Sequence, residues 1–323
     1  KRSLTDQKTA LVLGCLGQDG SLLCKYLLKK KYNVIGVSKN KSTTKNNHVL
    51  LGINEDIEIK NFDIRDFRLL SKLIEIINPD EIYNLAGQSS VGKSFIEPVE
   101  TIESIVNGTL NILEVCRKLN YSGNIFFAGS SEIFGHTSTP AGINHKQQPC
   151  NTYGIGKQAS LNLVKIYREI HNLRCQTGIL FNHESPLRNE NFVTQKIISI
   201  AVKCTKTKTT KLKIGNIQIE RDWGWAEEYM EGIHLMTRKD LVKDQVICTG
   251  KLTSLKEFIN ITFKKLDLNY KDFIEITPQY FRGKEIMKSF GDPKILEKDL
   301  NWKPKIFIEE IIENLIDYKL KSI

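Results

Sequence analysis

The chain has 323 residues, of which 40% are hydrophobic and 26% are charged, and its formal net charge is +10. This length can bury a large core in one large domain or two closely packed ones. No apolar run approaches the ~18 residues of a membrane span, so we expect no membrane partner. The densest basic stretch, at 203–213, lacks interleaved aromatic residues. It therefore favours a solvated lysine-rich surface that attracts nucleotides over a nucleic-acid partner.

The seven cysteines are scattered and include no CxxC pair. This pattern argues against a disulfide framework or a zinc site and indicates a reducing cytoplasm. We expect no secretory signal, because no apolar segment with a cleavage site precedes the first strand. The spacing of His136, His145 and His171 does not suit a metal site, so the sequence predicts no metal.

Predicted strands and helices alternate through the first half of the chain. The strands lie at 9–14, 33–37, 57–63, 80–87, 124–129 and 174–180, and helices follow Gly14 and lie at 66–77, about 99–118 and about 153–171. Such alternation predicts an α/β fold with a Rossmann-type doubly wound parallel sheet.

The alternation ends after Phe181, where loops, a few strands and helices follow. We therefore expect two domains. Residues 1–181 would form the dinucleotide-binding Rossmann domain, and residues 182–323 would form mainly a smaller α+β domain for substrate. Part of the segment at about 222–250 is expected to thread back onto the first domain.

Gly14, Gly17 and Gly20 form a GxxGxxG pattern between the first strand and the first helix. At this junction the chain turns tightly, lets a pyrophosphate approach the backbone and presents helix N-terminal amides to it. The pattern thus predicts a dinucleotide cofactor.

The end of the second strand reads GVSKNKS, with Lys39 and no carboxylate. An acidic residue there would accept the ribose hydroxyls of NAD, whereas a lysine suits a 2′-phosphate, so the sequence favours NADP. Asp63 and Ile64, after the third strand, are placed to meet adenine. Residues 85–87 close the fourth strand where the cofactor would pass, and they are Leu85, Ala86 and Gly87.

Ser130, Glu132, Tyr153 and Lys157 are the candidate catalytic residues. Tyr153 and Lys157 are four residues apart in a helical segment, so both side chains share one face. The lysine charge favours the tyrosine phenolate, which would make it a base near neutral pH. The serine can align a substrate hydroxyl with that oxygen. Glu132 adds a carboxylate that alcohol oxidation does not need but proton abstraction beside a new carbonyl does.

Several longer motifs carry a resemblance to a known family. They are GQDGS (17–21), EIYNLAGQSSV (81–91), GSSEIFG, YGIGK, ILFNHESP (179–186), FVTQKI (192–197), RDWG (221–224) and LNWKPK (300–305). Over nearly its whole length the chain resembles the GDP-mannose 4,6-dehydratases, which are extended short-chain dehydrogenases/reductases.

The resemblance implies a role for each matching residue. Ser130 would hold the sugar 4-hydroxyl, Glu132 would be the dehydrating carboxylate, Tyr153 the base, and Lys157 the residue that tunes it and contacts the ribose. The other implied cofactor contacts are Gln18, Asp19, Ser89, His183 and Arg188. The implied substrate contacts, besides Ser130, are Ser90, Asn182, Val193, Lys196, Arg221, Arg282 and Glu285.

The resemblance implies a cytoplasmic lyase that converts GDP-mannose to GDP-4-keto-6-deoxymannose with NADP. It also implies a homodimer or homotetramer in which the 38–48 loop lies near a partner's cofactor. Alternatives are a dehydratase of another nucleotide sugar, a 4-epimerase or 4-keto-sugar reductase, or a non-catalytic nucleotide-binding or RNA-binding protein. The departures from the family pattern leave the catalytic groups in place, and they are Leu13, Lys39, Asn40, Glu100, Leu187, Asn189, Trp225 and Gly283.

Overall fold

The computed structural model describes residues 7–40, 46–207, 210–280 and 285–322. Four features singled out in the sequence fall partly or wholly outside these ranges. They are the 38–48 loop, of which 41–45 are not described, the lysine-rich stretch 203–213, of which 208 and 209 are not described, the substrate contact Arg282, and Gly283.

The described strands range from two to seven residues. In chain order they are β1 (Thr9–Leu13), β2 (Asn33–Ser38), β3 (Glu58–Asn61), β4 (Glu81–Asn84), β5 (Asn124–Ser130), β6 (Cys175–Leu180), β7 (Asn182–Glu184), β8 (Leu212–Ile214), β9 (Glu220–Arg221), β10 (Trp223–Trp225), β11 (Gln245–Ile247), β12 (Thr253–Ser254), β13 (Ile274–Ile276) and β14 (Lys288–Ser289).

The described α-helices connect and cover these strands. They are α1 (Gln18–Lys29), α2 (Asn47–Leu50), α3 (Phe67–Ile77), α4 (Val91–Ile96), α5 (Pro98–Ile102), α6 (Gly108–Lys118), α7 (Thr152–His171), α8 (Val193–Cys204), α9 (Ala226–Arg238), α10 (Leu255–Lys264), α11 (Lys294–Leu300) and α12 (Ile308–Lys321). The predicted helix at about 99–118 is interrupted, because a π-helical turn (Glu103–Asn107) joins α5 to α6.

The central sheet has seven parallel strands in the order β11-β6-β5-β4-β1-β2-β3. The strand order reverses beside β1, which pairs with both β2 and β4. Ligands of open α/β sheets bind at the carboxyl ends of the strands beside such a reversal. The predicted α/β Rossmann-type fold is confirmed, and the reversal marks the edge where a site is expected.

Helices cover both faces of this sheet. On one face, Leu23 of α1 and Ile233 of α9 lie in the same buried cluster as Phe126 of β5. On the other face, Leu70 of α3 and Val164 of α7 lie in a second cluster. Apolar burial of this kind contributes about 25 cal/mol per Å² to the stability of the fold. The two clusters therefore stabilise the packing of the helices on the sheet.

The chain after β6 forms smaller units around a separate core. Ile198 of α8, Phe258 of α10 and Ile312 of α12 are fully or almost fully buried there. β9 pairs with β12 and β14, β13 with β8, and β10 with β7. The strand β11, within the segment at 222–250, pairs with β6 of the central sheet. In the described part of the chain, no helix has the length and hydrophobicity needed to span a bilayer.

Candidate active site

The predicted site residues gather along the carboxyl edge of the central sheet. The residues that end or follow its strands there are Gly14 after β1, Lys39 after β2, Asp63 after β3, Leu85 after β4, Ser130 in β5 and Asn182 after β6. Because all seven strands are parallel, these positions lie at the same end of the sheet. They therefore line one edge that spans the reversal of strand order.

The glycine turn after β1 has no room for side chains at two positions. Gly14 has φ +81°, and a Cβ there would lie 2.7 Å from backbone atoms of Leu85 and Ala86. A Cβ on Gly20 would lie 2.1 Å from the Gly14 carbonyl oxygen. A Cβ on Gly17 would make only an ordinary contact, 3.5 Å from the same oxygen. Gly14 and Gly20 therefore serve close backbone packing, whereas Gly17 keeps a surface open.

The helix α1 starts directly after Gly17, which has no side chain to cap the first backbone amides. A helix N-terminus carries partial positive charge and presents N–H groups to an anion. The turn from Gly14 to Gly20 therefore fits the pyrophosphate of a dinucleotide.

A partly buried ion pair joins this turn to the strand β7. His183 Nδ1 donates to the Phe181 carbonyl at 2.7 Å, and Nε2 lies 2.8 Å from Asp19 Oδ2. Burial alone would lower the pKa of His183, but the Asp19 charge raises this pKa above its ordinary value. Burial acts to raise the pKa of Asp19, yet the His183 charge brings it below its ordinary value. Each of the two groups therefore favours the charged form of the other.

Two further contacts close the same junction. Ser185 donates to Gln18 Oε1 at 2.8 Å, and an Arg188 guanidinium N–H donates to the His183 carbonyl at 2.9 Å. That guanidinium also lies over the Phe192 ring, 3.9 Å from its centroid. In this structure His183 and Arg188, both expected to contact cofactor, hold the segment after β6 against α1.

An ion-pair network lies beyond the ends of β2 and β3, where the sequence predicts the adenosine half of the cofactor. Lys39 Nζ lies 3.0 Å from Glu100 Oε1, and Arg65 lies 2.8 Å from the other Glu100 oxygen. Arg65 also pairs with Asp63 at 2.7 Å, which lowers the pKa of the Asp63 carboxyl. Ile64, expected to meet adenine, packs its buried side chain into the second core cluster.

The residues after β4 are mostly accessible. Gly87 has φ +125°, and it is exposed, as is Ser89, while Leu85 and Ala86 are half-buried. Ser90 begins α4, and its hydroxyl accepts the Lys93 amide at 3.2 Å. This segment therefore forms a solvent-accessible surface next to the glycine turn.

The four predicted catalytic residues come together where β5 meets α7. Ser130 is the last residue of β5, its hydroxyl accepts the Glu132 amide at 3.3 Å, and its interaction with the Tyr153 phenol acts to lower the pKa of Tyr153. Lys157 Nζ donates to the Ala128 carbonyl at 2.8 Å and lies 5.7 Å from the Tyr153 ring centroid. Glu132 lies in a single 3₁₀ turn (Ser131–Ile133) directly after β5.

Burial dominates the acid–base properties of Tyr153 and Lys157 in this structure. Burial raises the pKa of Tyr153 to about 12, while the Ser130 hydrogen bond opposes this and the Glu132 charge adds to it. Burial also lowers the pKa of Lys157 to about 8, against the opposing charge of Asp19. The burial of Tyr153 therefore outweighs the neighbouring groups that lower its pKa.

Asn151, which the sequence reasoning missed, connects Glu132 to α7. Its Nδ2 donates to Glu132 Oε2 at 2.7 Å, and its Oδ1 accepts the Gly154 amide at 2.8 Å. Asparagine directly before a helical segment is an N-cap signal, so the cap could have been predicted. The contact to a carboxylate on another loop could not. Arg65 was missed as well, because only the folded chain brings it to Lys39 and Glu100.

The predicted substrate contacts lie on the elements after β6. Asn182 begins β7 opposite Trp223 of β10, while Val193 and Lys196 lie on the first turns of α8. Arg221 lies on β9, which pairs with β14, and the half-buried Glu285 precedes β14. The structure thus brings these residues onto two neighbouring structural units, while Arg282 is outside the described residues.

Asp222 fixes these units to the central sheet. This buried carboxylate accepts the amides of Thr249, Gly250 and Gly291 at 3.0, 2.8 and 3.2 Å. It also accepts the Thr249 hydroxyl at 2.5 Å. Burial raises the pKa of Asp222 to about 6, even though these donors favour its ionised form. The aspartate of RDWG therefore ties three segments of the chain together.

A family model described as GDP-mannose 4,6 dehydratase matches residues 11–315. GDP-mannose 4,6 dehydratase 1 of Arabidopsis thaliana is 38% identical over 326 residues, covering 98% of this chain and 90% of that protein. GDP-mannose 4,6-dehydratase of Vibrio cholerae serotype O1 is 31% identical over 353 residues, covering 98% of this chain and 95% of that protein.

Solved structures share the fold at lower sequence identity. The dTDP-glucose 4,6-dehydratase of Bacillus anthracis, in complex with NAD, superposes with a TM-score of 0.85 at 18% identity. That alignment covers 98% of this chain and 97% of the other. The UDP-glucose 4-epimerase of Thermus thermophilus, also with NAD, gives 0.86 at 19% identity, covering 98% and 100%.

Proposed function

The chain belongs to the GDP-mannose 4,6-dehydratase family, and from this premise we propose that it converts GDP-mannose to GDP-4-keto-6-deoxymannose and water. The observation that carries the proposal is the half-buried Glu132 carboxylate beside Ser130 and Tyr153. A 4-epimerase or 4-keto-sugar reductase would need the serine, tyrosine and lysine alone. A carboxylate at this position suits an enzyme that also removes a proton from carbon.

The residues present fit a nicotinamide dinucleotide. The crowded turn at Gly14 and Gly20 and the uncapped start of α1 suit its pyrophosphate. Lys157 and the segment at 85–87 would contact the nicotinamide half, and Lys39, Asp63 and Arg65 would contact the adenosine half. When bound, the nicotinamide supplies the redox chemistry, since it accepts hydride from C4 and returns hydride to C6 of the same sugar.

The chain's own residues would move the protons. Ser130 aligns the sugar 4-hydroxyl, and the Tyr153 oxygen takes its proton as C4 becomes a ketone. The ketone acidifies C5–H, and the Glu132 carboxylate removes that proton. The C6–O bond then breaks, and the proton held by Glu132 leaves with the hydroxyl as water. Tyr153 then returns the proton that it took from the 4-hydroxyl to C5, which completes the 4-keto-6-deoxy sugar.

Tyr153 needs help to act as a base, because burial raises its pKa to about 12. A positive charge close to the phenol oxygen lowers such a pKa. The Lys157 ammonium is the chain's own contribution, and it stays near because Ala128 accepts from it at 2.8 Å. We infer that the positive charge of a bound oxidised nicotinamide would lower the pKa of Tyr153 further, and that this makes the tyrosine a base.

For the adenosine end we infer a preference for NADP. The last residue of β2 is Ser38, followed by Lys39, with no carboxylate to hold both ribose hydroxyls of NAD. Arg65 adds a planar guanidinium, which suits a phosphate. Titration calorimetry of NADP⁺ and NAD⁺ tests this preference. Lys39→Gln should weaken NADP⁺ binding and leave NAD⁺ binding nearly unchanged, whereas equal loss of both would contradict the preference.

We propose that two copies of the chain associate through α4, α5 and α7. The exposed fractions reach 81% for Ile96 and 67% for Ile170, high values for large apolar side chains. The apolar residues of this face are Phe95, Ile96, Val99, Ile155, Ile166 and Ile170. Light scattering should give the mass of a homodimer or homotetramer, and Ile96→Lys should reduce it. A monomeric native protein would exclude the assembly.

The test of the proposed reaction compares Glu132→Gln with Ser130→Ala. General acid–base groups contribute roughly 10²–10⁴-fold to rate, so both variants should lose that much turnover of GDP-mannose. Only Glu132→Gln should build up bound reduced cofactor, because it blocks elimination after oxidation. If Glu132→Gln still forms the 4-keto-6-deoxy sugar at the native rate, the assignment of Glu132 is wrong. We propose a reducing cytoplasm as the place of this reaction, since the seven cysteines are scattered and include no CxxC pair.

A further inference from the structure

We propose that Asn151 is a positioning residue that holds Glu132 for the elimination step. The inference rests on the proposed function, in which Glu132 removes the C5 proton. Asn151 is 8% exposed and lies directly before α7, two residues from Tyr153. Its side chain contacts Glu132 at one end and the first turn of α7 at the other.

The orientation of the Asn151 amide follows from its partners. The Gly154 backbone N–H can only donate, so the atom 2.8 Å from it is the Asn151 oxygen. The Asn151 NH₂ group must then face Glu132 Oε2, at 2.7 Å. A hydrogen bond of this length to a carboxylate is charge-assisted and stronger than a neutral one. Asn151 therefore fixes one oxygen of Glu132 without adding charge.

The backbone of the first turn of α7 also lies close to the backbone of Glu132. A Cβ on Gly154 would lie 2.8 Å from the Glu132 carbonyl oxygen, so glycine lets the first turn of α7 rest on the Glu132 backbone. Glu132 is thereby set relative to the helix that carries Tyr153. The two groups act on adjacent carbons of one sugar, so their separation has to be fixed within a fraction of an ångström.

The hydrogen bond also decides which Glu132 oxygen carries the proton. An oxygen that accepts an N–H bond is the less favourable place for a proton, since the donor hydrogen already faces it. Oε1 is then the oxygen that takes the C5 proton and gives it to the departing C6 hydroxyl. Asn151 would thus direct both halves of the elimination to a single oxygen.

Asn151→Ser tests the proposal, because serine caps a helix as well as asparagine but has a shorter side chain. The melting temperature and the calorimetric affinity for GDP-mannose should stay close to native. The kcat should fall about 10-fold to 100-fold, as expected for a lost hydrogen bond to a charged group. Bound reduced cofactor should build up during a single turnover. Asn151→Asp should lose more, because it sets two carboxylates against each other.

A double-mutant cycle separates positioning from mere stability. If Asn151 acts through Glu132, Asn151→Ser should cost nothing further in the Glu132→Gln background. Asp66→Ala serves as the control, since it removes the cap of α3, whose Leu69 amide is 2.9 Å from the Asp66 carboxylate. The control should lower the melting temperature without any build-up of reduced cofactor.

Two results would overturn the proposal while leaving the dehydratase assignment intact. One is native kcat in Asn151→Ser. The other is an equal loss with and without Glu132, which would show that Asn151 supports the fold alone. An inactive native protein would instead remove the proposed function on which the inference rests.

Discussion

The glycine turn after β1 and the units after β6 are built in different ways. The turn is made by contiguous backbone, and at Gly14 and Gly20 a single added carbon would meet main-chain atoms. The later units depend on side chains such as Asp222, which accepts amides from segments 27 and 69 residues away. A short sequence pattern can therefore specify the first region, whereas the second depends on contacts between distant parts of the chain.

The largest effect should come from Asp222→Ala, which tests the side-chain construction. It would leave the buried amides of Thr249, Gly250 and Gly291 without their acceptor. Each unsatisfied buried donor costs about 1–3 kcal/mol, so we expect a loss of at least about 3 kcal/mol. Urea denaturation measures this loss as a change in the free energy of unfolding.

The control for that experiment is Asp292→Ala, which removes an acceptor of one amide, that of Lys294. It should cost about 1 kcal/mol or less. Similar losses in the two variants would mean that Asp222 is not the anchor of these units.

Gly20→Ala and Gly17→Ala sharpen the description of the backbone-built region. A Cβ at position 20 would lie 2.1 Å from the Gly14 carbonyl oxygen, whereas at position 17 it would lie 3.5 Å away. Overpacking costs about 1–3 kcal/mol, so Gly20→Ala should lower the melting temperature and abolish NADP⁺ binding. Gly17→Ala should keep the native melting temperature. Equal melting temperatures in both variants would contradict the close packing.

His183 links the two regions, so its titration tests their junction. Its folded pKa is raised above the ordinary 6.5. The stability from the protonated ring is therefore full below pH 6.5 and is lost as pH rises through the folded pKa. Above pH 6.5 the native melting temperature should fall more steeply than that of His183→Gln. Parallel curves across the alkaline range would place no stabilising charge on His183.

The smallest effect concerns Glu100, which holds Lys39 and Arg65 at 3.0 and 2.8 Å. Partly exposed pairs are worth about 0.2–1 kcal/mol. Glu100→Gln should therefore release Lys39 and remove one of the partners of Arg65, which keeps Asp63, and raise the affinity for NADP⁺ over NAD⁺ by only a few-fold. Glu103→Gln is the matched control, since it lies farther from Arg65, at 3.4 Å, and is half exposed. A larger change in the control would remove Glu100 from cofactor choice.

The sequence predicted those parts of the fold and site that depend on local spacing. Strand and helix alternation predicted the parallel sheet, and the spacing of Tyr153 and Lys157 placed both on α7. The contacts of Asn151 with Glu132 and of Asp19 with His183 span 19 and 164 residues. Such contacts form only when the tertiary structure brings distant residues together, and local residue spacing does not predict them. The raised pKa of Tyr153 was also unforeseen, because burial depends on the packed structure.

The central claim is that this protein removes the C5 proton of the sugar and eliminates water. The most direct measurement incubates the native protein with GDP-mannose and catalytic NADP⁺ in heavy water and follows the product by mass spectrometry. We predict a product that has lost one water and gained one deuterium at C5, with no net build-up of NADPH. A product of unchanged sugar mass, or one without deuterium at C5, would contradict the claim.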